Sequence, residues 1–153
     1  MHPAKLPAKE TFAMKIALLA SVATAFCHLK GPDGVPLFDA GEKVGIDLFG
    51  PGSAEHGQIE ERQSARVVKR MADNENKIAH VPLATRRVEA AEDLATLTAG
   101  FRHIEHDGPD GTPLSGTALY HAVYSDPALG WIKEQVVKFV GDWGKFTPGS
   151  PTS

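Results

Sequence analysis

Between Asp126 and Phe146 the chain carries a long amphipathic segment, and no other stretch limits the fold as much. Asp126 suits an N-cap and Pro127 the first helical turn, where its missing N–H costs nothing. Leu129, Ile132, Val136, Phe139, Val140 and Trp143 recur at three- and four-residue steps, the spacing of one helical face. Lys133, Glu134, Lys138 and Asp142 fall largely outside that stripe. Burying each large side chain is worth about 1.5–3 kcal/mol. The spacing therefore predicts a closing helix over 126–146, covered by the chain's own core or in part by a partner. Trp131 and Trp143, the two tryptophans, both lie in it.

Turn chemistry divides the rest. Gly31-Pro32-Asp33-Gly34 is a strong turn signal, and Gly-Pro-Asp-Gly-x-Pro-Leu occurs at 31–37 and again at 108–114. The flanking segments do not match, so the duplication predicts one turn solution used twice and no repeat fold. From Phe12 to Lys30 the chain reads as β structure, with Ile16, Leu18, Leu19, Val22, Ala25, Phe26 and Leu29 as candidate buried residues. Helix is the competing assignment for so short an apolar run. Lys5, Lys9 and Lys15 ahead of residues 16–25, with Ala23-Thr24-Ala25, imitate an export signal. Glu10 interrupts the basic region and the run is short, so a buried strand is the preferred reading. Nothing approaches the roughly 20 apolar residues of a membrane span.

A second strand is expected over Lys43–Phe49, where Val44, Ile46 and Leu48 alternate against Gly45 and Asp47. Gly50-Pro51-Gly52 ends it. Ser53 can cap a helix running to about Met71, with Glu55 well placed in its first turn. Its apolar content is thin, and Glu60, Glu61, Arg62, Arg66, Lys69 and Arg70 leave most of its surface solvated or open to a partner. Asp73–Lys77 breaks the pattern. Another helix is expected from Thr85 to Ala99, with Gly100 as its stop and Phe101 and Ile104 pinning the exit. A short one is expected over Thr117–Tyr124. The chain is thus expected to be α+β: a small antiparallel β unit over 12–52, then a mainly helical body over 53–146. An extended arm over 1–11 and a flexible tail over 147–153 flank them.

Composition narrows the function classes. At 153 residues the chain suits one domain, and 42% hydrophobic with 23% charged residues is ordinary globular usage. A formal net charge of −3 offers no broad attraction to nucleic acid. The single Cys27 excludes an internal disulfide and a multi-cysteine zinc site. His103-x-x-His106, beside Asp107 and Asp110, lacks a third ligand, and its glycines and prolines argue for loop. Cys27 and His28, adjacent on a strand, point to opposite faces, the wrong geometry for a thiol–imidazole pair. Gly50–Ser53 lacks the lysine and glycine spacing of a phosphate loop. The basic cluster Arg62, Arg66, Lys69, Arg70, Arg86 and Arg87 is interleaved with acids and has no stacking aromatics, which disfavours nucleic acid. No catalytic, cofactor or metal residue is expected.

These landmarks together resemble a family of small proteins from long-tailed bacteriophages, the tail assembly chaperones and related tail-cluster proteins. The resemblance spans most of residues 12–146. It rests on Phe26-Cys-His-Leu-Lys30, on Ile46-Asp-Leu-Phe-Gly-Pro-Gly-Ser53 followed by Arg62, Arg66 and Arg70, and on Leu94–Gly100 with Asp110-Gly-Thr-Pro-Leu114. Ala118-Leu-Tyr120, Asp126-Pro127 and Trp131–Val140 continue it. Two departures are Asp142-Trp-Gly-Lys-Phe146, where the family often ends in Asp-Arg-x-Asn-Phe, and Phe101, where a Trp is common.

The resemblance implies a non-enzymatic morphogenesis protein that binds tape-measure and tail-tube proteins in the host cytoplasm during assembly. No membrane or nucleic acid is involved, and self-association stays open. The expected partner-binding residues are Arg62, Arg66, Arg70, Trp131, Phe139 and Trp143. The alternative is a minor structural component retained in the virion, in the tail or at the head–tail joint.

Overall fold

Residues 13–148 are described by the computed structural model; the arm expected over 1–11, Phe12 and the tail beyond Pro148 lie outside the described residues. The chain runs β1 (Thr24–His28), β2 (Phe38–Asp39), β3 (Glu42–Lys43), β4 (Gly45–Phe49), α1 (Ala54–Asp73) and α2 (Leu83–Thr96). It continues through β5 (Thr98–Arg102), α3 (Gly116–Ser125) and α4 (Gly130–Val140), with short 3-10 turns at Ile16–Leu19, Pro127–Leu129 and Trp143–Phe146. The architecture is α+β, an antiparallel sheet near the N-terminus followed by helices, as the sequence led us to expect.

β4 is the middle strand of the sheet β1-β4-β5, antiparallel to both neighbours. Its alternation sends Ile46 and Leu48 into the core, where both are fully buried. They sit in register with Cys27 and Ala25 of β1. Ile132, Val136 and Val140 of α4 and Leu119, Val123 and Tyr124 of α3 complete that core with Ile59, Leu94 and Leu97. On the other face Phe26 lies under the Arg102 guanidinium, 4.6 Å from its ring centroid. Arg102 also grips Asp47 through two hydrogen bonds of 2.8 and 2.9 Å. Gly45 is bare because a side chain there would run into the Cys27 carbonyl and the Phe26 ring.

Local signals fixed several boundaries. Ser53 caps α1 by accepting the His56 N–H at 3.2 Å. Asn74, Glu75 and Asn76 end it, the last two with positive φ. The two Gly-Pro-Asp-Gly turns are built alike. In each the first glycine accepts the N–H of the last at 2.9 Å, and the Asp carboxylate caps the amide two residues on. Gly34 and Gly111 have φ of +83° and +81°. One turn solution is indeed used twice.

Three expectations need correction. Ile16, Leu18, Leu19 and Val22 are not a buried strand: they form a 3-10 turn and its exit, and all four side chains are exposed. Only from Thr24 does the alternation find a partner strand. The helix expected over Thr85–Ala99 ends at Thr96, and Thr98–Arg102 becomes β5, so the sheet draws a strand from the body expected to be helical. Gly100 therefore sits inside a strand and is not a helix stop. The closing helix is also broken. α4 ends at Val140, and after Gly141 the Asp142 carboxylate caps a new 3-10 turn by accepting the Gly144 N–H at 2.9 Å. That turn rotates Trp143 outward and buries Phe146 in its place, edge-on to Phe139 at 5.4 Å.

The twin turns make a direct test. Gly34→Ala and Gly111→Ala should each cost about 1–2 kcal/mol in urea unfolding, because L side chains resist that φ. Unequal losses would mean that the turns carry different loads.

Candidate interaction surface

Arg62, Arg66 and Arg70 are spaced at four-residue steps along one face of α1, and that face meets α2. The arginine Nε of Arg62 donates to Asp93 at 3.1 Å and its Nη2 to Thr96 at 2.7 Å. Arg66 holds both Asp93 oxygens through Nη1, at 3.0 and 2.9 Å, and reaches Glu92 at 3.4 Å. Arg70 pairs with Glu89, and Gln63 adds a hydrogen bond of 3.1 Å to Asp93. Asp93 is only 8% exposed, yet three side chains of α1 satisfy its carboxylate. The three arginines expected to face a partner are spent inside the chain. A buried carboxylate needs such partners, and a paired guanidinium has little left to offer outside. Reading α1 alone concealed this. The usable signal was a second charged row, Glu89 and Asp93, at the same four-residue step on α2.

The aromatic residues separate too. Phe139 is buried in the core, so it is not available to a partner in this conformation. Trp131 is half-buried and lines a cavity between β1 and α4. Trp143 is 60% exposed and stands beside Ile16, Leu19 and Ala20 around a surface hollow of about 500 Å³. The expected six-residue surface is thus not one patch.

A different surface does come together. α1, α2 and α4 enclose a groove of about 460 Å³ floored by Ile59, Leu94, Leu97 and Val140. Val67 and the half-exposed Val137 form its walls, and His56, Glu60, Arg86 and the Arg70–Glu89 pair its rim. α1 contributes only one fully buried side chain, Ile59, over twenty residues. One wall of the groove is therefore held mainly by charge.

Groups capable of chemistry are dispersed among the described residues. Burial pushes the Cys27 thiol up from 9.0 to about 11, so it stays protonated and unreactive at neutral pH. His28 turns away from it, with Nε2 at 2.8 Å from the Leu37 carbonyl. His103 lies toward Asp39 and His106 toward Asp126, at 3.6 and 3.9 Å. Among the described residues no three His, Cys, Asp or Glu side chains cluster as metal ligands. Nor is any helix there long and apolar enough to cross a membrane. The Tyr124 phenol, whose pKa burial raises, is 2.7 Å from the Thr98 hydroxyl and ties α3 to β5. Compared with known proteins, the chain matches no family model, and no curated protein or solved structure shows significant similarity to it.

The clamp and a nearby surface pair should behave oppositely. Asp93→Ala strands Arg62 and Arg66 and should cost about 3 kcal/mol in urea unfolding. Lys69 and Asp73 are 2.9 Å apart but 78% and 66% exposed, so Lys69→Ala should cost less than about 0.5 kcal/mol.

Proposed function

We propose that this chain is a non-enzymatic bacteriophage morphogenesis protein of the tail-assembly-chaperone kind. In this reading it works in the host cytoplasm by holding apolar helical segments of the tape-measure protein until tail-tube subunits replace it. The observation that carries the proposal is the groove between α1, α2 and α4. Its apolar floor and charged rim suit an amphipathic helix, which lays its apolar face down and keeps its charges in water. A floor of a few side chains supports reversible holding rather than permanent association. The resemblance noted in the sequence supplies the choice of partner.

A second reading is favoured by the ledge formed by Ile16, Leu18, Leu19 and Trp143, each at least 60% exposed. An apolar face left uncovered marks a contact surface, and a permanent neighbour in the virion would cover it.

Co-expression with the tape-measure protein followed by pull-down tests the first reading. The wild-type chain should raise the partner's solubility and be recovered with it. Val137→Glu, on the groove wall, should lower recovery at least about tenfold, the effect of some 1.4 kcal/mol, without loss of helical signal. Failure of the wild-type chain to form a complex, or many copies of it in purified particles, would overturn the chaperone reading.

A further inference from the structure

A second hollow adjoins the groove and lengthens it. It measures about 610 Å³ and is bordered by Tyr124, Pro127, Gly130 and Lys133, with Arg87 of α2 beside them. Val137 lines this hollow and the groove alike, so the two meet at that side chain. Val136 and Val140 are buried, but Val137 is half-exposed. Gly130, Lys133, Val137 and Val140 fall at three- and four-residue steps, so the strip follows one face of α4 for about 15 Å. Gly130 leaves one end of it bare, since a Cβ there would meet nothing within 4 Å. That length accommodates about three turns of a second helix, with an apolar side chain in each hollow and Val137 between them.

The free charges along the strip are mostly of one sign. Arg86 borders the groove, and Arg87, Lys133 and Lys138 border the second hollow. None of the four enters an ion pair among the described residues. Most acids nearby are engaged. Asp93 and Glu89 hold arginines of α1, and Glu60 lies 3.3 Å from His56. Asp126 accepts the Ala128 N–H at 2.9 Å and lies 3.9 Å from His106. Glu134 is then the one uncommitted acid beside four uncommitted cations, in a chain whose formal net charge is −3. Two of those cations come from α2 and two from α4, so both sides of the strip carry them.

We propose that the joined hollows select an amphipathic helix whose two flanks carry Asp or Glu, a proposal that rests on the groove's holding a helix. One acidic flank pairs with Arg86 and Arg87, the other with Lys133 and Lys138, and apolar anchors fill the hollows on either side of Val137. A helix with the same apolar face and lysine flanks meets like charge and is rejected. The chain's own first twelve residues are the wrong occupant, because Lys5 and Lys9 give them the wrong sign. A nucleic acid would meet the cations but find no stacking platform, since Tyr124, the aromatic residue of the strip, is buried.

Two labelled helical peptides of about four turns, alike in their apolar face but flanked by Glu or by Lys, test this by fluorescence anisotropy with the full chain. The Glu-flanked peptide should bind at least about tenfold more tightly at about 50 mM salt, and the difference should shrink at about 500 mM. Arg87→Glu with Lys133→Glu should reverse the preference. Gly130→Phe fills the second hollow and should weaken the Glu-flanked peptide at least about fivefold, with unchanged thermal unfolding. The peptides contain no tape-measure sequence, so this selectivity stands even where the tape-measure protein is not held. Equal affinity for the two peptides, or no binding of either, would overturn the proposal, even with the tape-measure protein recovered in pull-down. An RNA oligonucleotide that binds as tightly as the Glu-flanked peptide, with Gly130→Phe affecting neither, would also overturn it.

Discussion

The middle strand β4 is the constraint on which the rest of this structure depends. Among the described residues it is the only strand paired on both sides, and its inward side chains, Ile46 and Leu48, are completely buried. Pairing with β1 is nearly local, but pairing with β5 reaches fifty residues down the chain. Closing that distance brings α1 and α2 back to the sheet and lets α3 and α4 pack across it. A bulge between Asp47 and Leu48 adjusts the register, so that Leu48 opposes Thr98. Thr98 in turn meets Tyr124, which extends the constraint into α3.

Against that centre α1 is attached differently. It has twenty residues and one buried apolar side chain, so most of its attachment is the Asp93 clamp. Ion pairs of this kind need close geometry to offset desolvation and give less net stability than apolar burial of equal extent. The fold thus combines a rigid sheet and helix core with one wall that can loosen. For the proposed function, this arrangement suits a groove that would admit and release a helix.

Much of this was legible in the residues, and the failures share a cause. Caps and turns announced themselves because their determinants are local. Ser53, Asp126 and the two Gly-Pro-Asp-Gly runs each make the hydrogen bonds their residue types favour. β5 was missed because Thr98–Arg102 continues a helical pattern and contains a glycine that reads as a stop. Only β4 makes it a strand. Ile16–Leu19 was misjudged as buried because apolarity alone cannot say whether a partner surface exists. The arginines of α1 were misplaced for the converse reason: a charged row reads as solvated until an opposite row is found. Trp143 and Phe146 exchanged roles because Asp142, a capping residue, breaks the helix between them.

Native-state hydrogen exchange measures the central claim most directly, that β4 carries the global stability while α1 is strapped on by charge. The Ile46 and Leu48 amides should exchange only through global unfolding. Those from Arg66 to Asp73 should open at a free energy lower by at least about 2 kcal/mol, and lower still in 1 M salt. Amides of α1 as protected as those of β4, at low and high salt alike, would contradict it.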